Sequence, residues 1–417
     1  MQKGEELPHS PRITSLYRRL SGGDSTALDE FWKEIGRSGT PLVEPLDDDH
    51  VLVTFIWRAK DDEIHNVLIP LGLGAVGDFS GNLMIRMLNT DLWYKTYRAR
   101  ADIRATYMLS PNDSLAPFGD YDEVETRLSK FIADPLNSNK FLEIHKKDGK
   151  DLVFSESILE LPKAPAQPWI ASRPNVPKGT LTKHLFKSEI LHNTRDVWAY
   201  TPSGYSANEQ PLNLVIFLDG YDYIEYIPTP TILDNLTAED KIPPTIAIFV
   251  DAIDTRTRKI EMPCYQPFVD SIQSELVPWI RKNYNVTSDP HTTTIAGASY
   301  GGLAAGFTGY RASRIFGNVL SQSASFGWPA VPWVHDDVDT GWLIRQFTVS
   351  EKLPLRFYID VGLLERSIGV DQVTANRHMR DVLQAKGYDL QYVEFAGGHD
   401  YICWRGTLPD GLTYLCQ

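Results

Sequence analysis

One pentapeptide constrains the fold of this chain more than any other feature. Residues 297–301 read Gly-Ala-Ser-Tyr-Gly, and they follow a strand-like segment at 292–296 and precede a helical pattern at 303–310. A G-x-S-x-G sequence between a strand and a helix is typical of the sharp turn that exposes a nucleophilic serine in an α/β-hydrolase fold. The strained turn needs glycines, and the helix N-terminus favours negative charge nearby. We therefore predict that Ser299 is a nucleophile; an ordinary Gly/Ser turn is the alternative.

The segments around this pentapeptide alternate between strand and helix patterns. Residues 214–218 and 245–250 are short and strongly apolar, which is typical of strands that are covered on both faces. Strands that alternate with helices indicate an α/β domain with a mostly parallel sheet. Further strands are predicted at 318–320, 355–359 and 392–395, and helices at 268–284 and 371–385.

The first half of the chain shows a different pattern. Its short β-branched and aromatic runs, separated by turn residues, predict an antiparallel, immunoglobulin-like β-sandwich. A leading helix is predicted at 14–36, and strands at 51–57, 67–70, 82–88, 92–99 and 103–109.

A proline-rich stretch separates these two patterns. Five prolines lie between positions 162 and 177. They predict an extended linker, because proline removes backbone donors and stiffens the chain. We therefore predict an N-terminal β-sandwich domain with its leading helix (1–165), a linker (166–180) and an α/β-hydrolase catalytic domain (181–417).

Composition excludes several classes of protein. The 417 residues carry 41 basic and 54 acidic side chains, a formal net charge of −13, which argues against a nucleic-acid binder or a polybasic membrane-surface protein. We find no secretory signal in residues 1–29, and no apolar run approaches the roughly 20 residues of a membrane helix. Three cysteines without metal-ligand spacing are consistent with a reducing compartment, so we expect a cytoplasmic protein with no metal and no membrane insertion.

A serine nucleophile needs a general base, and three histidines follow Ser299 in the chain. His378 lies in a helical pattern between arginines and reads as a surface residue, and His335 lies in a Pro/Trp-containing loop. His399 follows the last predicted strand in a Gly-Gly-His-Asp sequence, at the edge where open α/β sheets bind ligands. We predict that His399 is the base.

The acid of the triad is expected in the loop after the strand at 355–359. Glu365 is our prediction, since its loop position would let a carboxylate reach His399. Asp360 and Asp371 remain alternatives. The acid would orient the imidazole and stabilise its cation without taking the proton.

Stabilisation of the oxyanion needs two amide donors. We predict that the N–H of Tyr300, directly after the nucleophile, is the first donor. The second is expected in the loop after the strand at 214–218, from Gly220 or Tyr221.

Several further segments are distinctive. They are 251–255, 258, 261–264, 297–303, 320–325 with 328, and 397–406, together with 53–58, 104, 107 and 134–137 of the first half. Through these segments the chain resembles the enterochelin (enterobactin) esterase family. The usual pair around the family's serine is Gln and Phe, and here it is Ala298 and Tyr300, a departure at the floor of the pocket.

The resemblance implies a two-domain cytoplasmic serine esterase. Such enzymes hydrolyse the trilactone of enterobactin-type catecholate siderophores, usually as the ferric complex, so that iron arrives as substrate and no cofactor is needed. The family's nucleophile, base and acid fall on Ser299, His399 and Glu365.

A ferric tris-catecholate is strongly anionic, so local cations must bind it in a chain that is acidic overall. We predict that Arg258 is the main cation, held in place by Asp251 and Asp254, because a guanidinium stacks on catechol rings. Further predicted contacts are Trp328, Arg58 and Arg405. The alternatives are a carboxylesterase for another bulky phenolic ester, such as a feruloyl-type ester, and a non-catalytic siderophore-binding protein; the preferred siderophore and the oligomeric state stay open.

Overall fold

The structure, a computed structural model, describes residues 10–60, 63–116, 127, 130–147, 150–328, 341–367 and 371–416. The prediction for His335 lies outside these residues.

Antiparallel sheets form the first half of the chain. A four-stranded sheet has the order β1-β2-β5-β4, a three-stranded sheet has the order β6-β9-β8, and β3 pairs with β7. Side chains of the two larger sheets share one core, in which the rings of Phe55 and Tyr107 pack edge to face at 4.6 Å. The strands are β1 (Leu42–Pro45), β2 (His50–Arg58), β3 (Val67–Leu68), β4 (Ile85–Arg86), β5 (Leu92–Arg100), β6 (Arg104–Tyr107), β7 (Ser110–Pro111), β8 (Lys140–Lys147) and β9 (Lys150–Glu160).

Two predictions in this half were wrong. The single helix expected at 14–36 is two helices, α1 (Pro11–Ser21) and α2 (Ala27–Ser38), because Gly22-Gly23 interrupts it and Gly23 has φ +87°. The strand expected at 82–88 is only β4, which follows the short helix α3 (Phe79–Asn82). The side chain of Asp78 caps α3 by accepting a hydrogen bond from the Gly81 N–H, so local capping outweighs the apolar pattern.

An eight-stranded sheet forms the second half, in the order β10-β11-β13-β12-β14-β15-β16-β17. The pairs β10–β11 and β11–β13 are antiparallel, and the strands from β13 to β17 pair in parallel. Apolar cores cover both faces of the sheet, as the apolar strand sequences require. The strands are β10 (Thr180–Ser188), β11 (Asn193–Thr201), β12 (Asn213–Leu218), β13 (Thr245–Val250), β14 (Thr293–Ala298), β15 (Asn318–Gln322), β16 (Arg356–Gly362) and β17 (Asp389–Phe395).

Helices pack on both faces of this sheet. The predicted helix at 268–284 is broken into α7, a π-helical turn (Ile272–Leu276) and α8, and the helix after β17 was not predicted. The helices are α4 (Gly220–Glu225), α5 (Thr229–Ala238), α6 (Thr255–Glu261), α7 (Gln266–Ser271), α8 (Val277–Asn283), α9 (Tyr300–Arg311), α10 (Trp342–Val349), α11 (Gln372–Ala385) and α12 (Tyr401–Leu415), with a 3₁₀ turn at Pro290–Thr292. No helix in the described ranges is long and apolar enough to cross a membrane.

The proline-rich stretch between β9 and β10 lies against the second half. Trp169 and Ile170 pack on the apolar core beneath the sheet, and the side-chain amide of Asn235 donates to the Trp169 carbonyl at 2.7 Å. The division of the chain at 166–180 stays a prediction.

Candidate active site

A cavity of about 410 Å³ opens where the parallel strands end. Loops that follow β12, β13, β14 and β17 contribute to its lining, because the carboxyl ends of parallel strands lie at one edge of a sheet. Ser299, His399 and Arg258 are all among the lining residues. The sequence motifs therefore converge on a single cavity although up to 141 positions separate them, from 258 to 399.

Ser299 lies on the sharp turn from β14 to α9. Its backbone has φ +56° and ψ −120°, an unfavourable conformation for a residue with a side chain, which costs about 1–3 kcal/mol. A Cβ on Gly297 would lie 2.3 Å from the Gly301 carbonyl oxygen, so glycine is required there. The Ser299 N–H donates to the Gln322 carbonyl at 2.9 Å, which fixes the turn against β15.

His399 and Glu365 form a hydrogen-bonded pair. The imidazole Nδ1 lies 2.7 Å from Glu365 Oε2, and the imidazole is 38 % exposed while the carboxylate is 1 % exposed. Because an ionised carboxylate only accepts, this contact places the ring proton on Nδ1 and leaves Nε2 able to accept another. This is the tautomer that a general base needs.

Other donors hold the Glu365 carboxylate in place. Its Oε1 accepts hydrogen bonds from the Ser323 hydroxyl at 2.5 Å and from the Gly362 N–H at 2.7 Å. The Trp404 indole N–H donates to the same hydroxyl at 2.9 Å, and the imidazole of His399 packs edge-on against the Trp404 ring at 4.9 Å. Sequence reasoning missed Ser323 and Trp404, since each acts through a contact distant in the chain.

The alternative acids have other partners. Asp360 Oδ2 accepts from the Gln322 side-chain amide at 3.3 Å and Oδ1 from the Ser323 N–H at 3.2 Å. Burial raises the pKa of Asp360 to about 7. Asp371 caps α11 by accepting from the Thr374 N–H at 2.9 Å. The role of Glu365 as the acid stays a prediction, which its hydrogen bond to His399 favours.

The two predicted donor segments both border the cavity. Tyr300 is the first residue of α9, where backbone N–H groups have no partner within the helix. Tyr221 lines the cavity, and Gly220 begins α4 at a point where a Cβ would lie 2.4 Å from the Phe249 carbonyl carbon. Close approach to β13 therefore requires glycine at 220. The oxyanion roles remain predictions.

Arg258 lies at the cavity in an ion pair. Its guanidinium donates to both carboxylate oxygens of Asp219, at 2.8 and 2.7 Å, and lies 5.6 Å from the centre of the Tyr300 ring. Asp219 is a partner that the sequence analysis missed. Asp254, predicted to hold the arginine, caps α6 by accepting from the Thr257 N–H at 2.7 Å.

The three other predicted contacts lie elsewhere. The Arg58 guanidinium pairs with Asp91 at 2.8 Å and stacks on Trp32 at 4.7 Å. The Arg405 guanidinium donates to the Gln167 side-chain oxygen at 2.9 Å. Trp328 packs on the apolar core of the second half. In the part of the chain that the structure describes, none of these three lines the cavity.

The first half of the chain supplies part of the cavity lining. Glu143, Ile144, Asp151 and Glu156 come from β8 and β9, strands that sequence analysis did not predict. Burial and the neighbouring Glu143 raise the pKa of Glu156 to about 8. An Asp-Gly dipeptide at 148–149 separates the two strands in sequence, and it is a strong hairpin signal that could have revealed them.

Two family models match the chain. The model described as "Enterochelin esterase, N-terminal" matches residues 52–170, and the model described as "Putative esterase" matches residues 188–415.

Among curated proteins, the iron(III) enterobactin esterase of Dickeya dadantii is 33 % identical over 92 % of both chains. The iron(III) salmochelin esterase of Escherichia coli O6:H1 is 29 % identical over 98 % of both.

Among solved structures, the ferric enterobactin esterase of Salmonella typhimurium has a TM-score of 0.73 at 30 % identity, covering 93 % of this chain and 98 % of that one. The enterobactin esterase of Shigella flexneri, crystallised in the presence of enterobactin, has a TM-score of 0.71 at 30 % identity, covering 90 % and 95 %.

Proposed function

Because the chain belongs to the enterochelin esterase family, we propose that it is a serine esterase that hydrolyses the trilactone of enterobactin-type catecholate siderophores. The observation that carries the proposal is the His399–Glu365 pair, whose imidazole lines the same cavity as the strained Ser299. The substrate class rests on the relatives, which match both halves of the chain and are named as enterobactin and salmochelin esterases.

The reaction begins with acylation. Nε2 of His399 takes the proton from the Ser299 hydroxyl as the oxygen attacks an ester carbonyl of the trilactone. Glu365 holds the Nδ1 proton and stabilises the imidazolium cation that forms. The amides of Tyr300 and of Gly220 or Tyr221 donate to the oxyanion. The imidazolium then gives its proton to the leaving alkoxide, which opens the ring and leaves an acyl-enzyme.

Hydrolysis of the acyl-enzyme completes the cycle. His399 takes a proton from water, the hydroxide attacks the acyl carbonyl, and the proton returns to Ser299. Repeated cycles convert the trilactone into linear trimer, dimer and monomer of dihydroxybenzoylserine. Iron is part of the substrate in this scheme.

We assign the catecholate contact to Arg258. Its guanidinium lines the cavity, and the bidentate pair with Asp219 fixes its orientation. The same pairing offsets part of its charge, so the contact is expected to act mainly by stacking on a catechol ring.

We also propose that the protein works in the cytoplasm. Cys264, Cys403 and Cys416 are all free thiols, which suits a reducing compartment. Cell fractionation tests this assignment. Recovery of the protein outside the cytoplasmic fraction would contradict it.

Replacement of the nucleophile tests the proposed reaction. Ferric and iron-free enterobactin are incubated with the wild-type protein and with Ser299→Ala, and the products are separated by chromatography. We expect the wild type to yield the linear trimer, dimer and monomer. The variant should yield none while still binding the siderophore, measured by quenching of tryptophan fluorescence. Ser203→Ala, at an exposed serine, is the matched control.

The other outcomes identify the alternatives. Unchanged turnover by Ser299→Ala would overturn the assignment of the nucleophile. Cleavage of methyl ferulate with no cleavage of either trilactone would favour the feruloyl-type esterase. Binding without turnover by the wild type would favour a siderophore-binding protein.

A further inference from the structure

The loop that carries His399 adds to the free edge of a sheet in the first half of the chain. The Arg104 N–H of β6 donates to the Ala396 carbonyl at 3.1 Å, and Arg104 and Gly397 form a parallel β-bridge. The thiol of Cys403 donates to the Arg104 carbonyl at 3.1 Å. Since β6 is the edge strand of the order β6-β9-β8, residues 396–397 extend that sheet.

The side chain of Asp400 makes a second connection to β6. Its Oδ2 accepts a hydrogen bond from the Thr106 N–H at 3.1 Å, and its Oδ1 accepts one from the Cys403 N–H at 2.9 Å, which caps α12. Asp400 is 5 % exposed. One carboxylate oxygen therefore bonds to the first half of the chain and the other to the second half, immediately after His399.

The packing around this loop leaves little room for movement. A Cβ on Gly397 would lie 2.5 Å from Cys403 Sγ and 2.8 Å from the Arg104 carbonyl oxygen. The Gly397 carbonyl accepts from the Leu364 N–H at 2.9 Å, which joins the loop of His399 to the residue before Glu365.

The loop of the predicted acid also contacts the first half. Leu364 and Ala396 pack against the core that β2, β5, β6 and β9 share. The Val76 N–H donates to the Arg366 carbonyl at 3.0 Å. The loop that carries His399 and the loop that carries Glu365 are thus both held by contacts with the first half of the chain.

We infer that the first half of the chain holds the His399–Glu365 pair in its catalytic geometry, and that Asp400 is a positioning residue that acts through its bond to the Thr106 N–H. This inference rests on the proposed function, because it concerns the base of that reaction. It gives the first half a task in catalysis that is separate from contact with substrate.

The charge of Asp400 gives the inference a distinct pH signature. Burial, and to a smaller degree Glu143, raise the pKa of Asp400 to about 6. Other charged or titratable groups that interact with it are Glu156 on β9 and Cys403 and Arg405 on α12, and His399 directly precedes it in the chain.

Below about pH 6 the Asp400 carboxylate takes up a proton and loses its negative charge. Its hydrogen bonds from the Thr106 and Cys403 N–H groups then become weaker. Protonation of Asp400 should therefore contribute one proton to the fall of kcat on the acid side in the wild type.

Asp400→Asn is the test, because asparagine keeps the size of the side chain and still caps α12. Its amide NH₂ must face one of the two N–H donors, so one bond is lost. We expect kcat to fall about 10- to 100-fold on both the trilactone and a small acetate ester, with KM within about twofold. Phosphorylation of Ser299 by diethyl p-nitrophenyl phosphate should slow by the same factor, and the acid limb of kcat should involve one proton fewer than in the wild type.

Asp289→Asn is the matched control. Asp289 caps the 3₁₀ turn Pro290–Thr292 by accepting from the His291 N–H at 2.9 Å, at the opposite end of β14 from Ser299. This variant should retain the kcat and the acid limb of the wild type.

Several results would overturn the inference. These are a folded Asp400→Asn with kcat within twofold of wild type, a loss confined to KM, an acid limb with the same number of protons in both proteins, or a wild-type kcat that does not fall between about pH 7 and about pH 5. The last result needs no variant, so it still tests the inference if Asp400→Asn does not fold.

A readout without turnover separates this inference from the proposed function. The low-field Nδ1 proton resonance of the His399–Glu365 pair should be present in the wild type and lost or shifted upfield in Asp400→Asn. An unchanged resonance would contradict the inference. A wild type that shows the resonance and cleaves no ester would instead contradict the proposed function.

Discussion

Replacing Glu365 with glutamine should disable His399, the proposed base, while leaving the fold intact. In the wild type, Oε1 accepts from both the Ser323 hydroxyl and the Gly362 N–H, and Oε2 faces His399 Nδ1. Two donors converge on the Oε1 position, so the amide oxygen of the substituted side chain must occupy it. The amide NH₂ must then occupy the Oε2 position and point at the imidazole.

This forced orientation sets the size of the effect. An NH₂ group can only donate to Nδ1, so the imidazole proton must move to Nε2, and His399 can no longer take the proton of Ser299. Loss of the correct tautomer in a serine triad lowers kcat about 10⁴-fold. At about 1.36 kcal/mol per factor of ten, this is a loss of about 5.4 kcal/mol in transition-state stabilisation.

The assay compares kcat of wild type and Glu365→Gln at pH 7 with the trilactone and a soluble aryl ester, after thermal unfolding has shown similar Tm values. Asp360→Asn is the comparison for the competing acid. The oxygens of Asp360 accept from Gln322 and from the Ser323 N–H, so this change should lower kcat by less than tenfold. A loss below tenfold in Glu365→Gln, or a larger loss in Asp360→Asn, would refute the reasoning.

Two further predictions concern stability. Arg258→Met leaves the Asp219 carboxylate, 5 % exposed, without its bidentate partner, and should lower the free energy of unfolding by about 3–5 kcal/mol. Urea denaturation should show that adding Asp219→Asn to this variant restores most of the loss. A free energy of unfolding for Arg258→Met within about 1 kcal/mol of the wild-type value, on the order of experimental error, would contradict the prediction. The pKa of Glu156 rises from 4.5 to about 8, so the folded chain holds a proton that the unfolded chain releases, and wild-type stability should fall as pH rises through that window. The Tm advantage of Glu156→Gln should therefore be larger at pH 8 than at pH 5, and an equal advantage at both would exclude this explanation.

Features that depend on neighbouring residues could be predicted from the sequence. The turn at Ser299 is specified by the two glycines of its pentapeptide, together with the strand pattern before it and the helix pattern after it. The apolar strands β12 and β13 were predicted within one residue of their observed ends, since burial on both faces leaves an unbroken apolar run. The resemblance to the esterase family rested on such local segments and was confirmed by relatives that span both halves.

Features that depend on contacts between distant segments could not be predicted from the sequence. Sequence order left Asp360, Glu365 and Asp371 as competing acids, and only the folded chain shows that the Glu365 carboxylate bonds to His399, 34 positions away. The partner of Arg258 is 39 positions away, and the Thr106–Asp400 bond spans 294. A pattern of residue types records which backbone shape is favourable locally. The choice of partner for a buried charge is made by the packing of whole layers, which brings together groups that share no local signal.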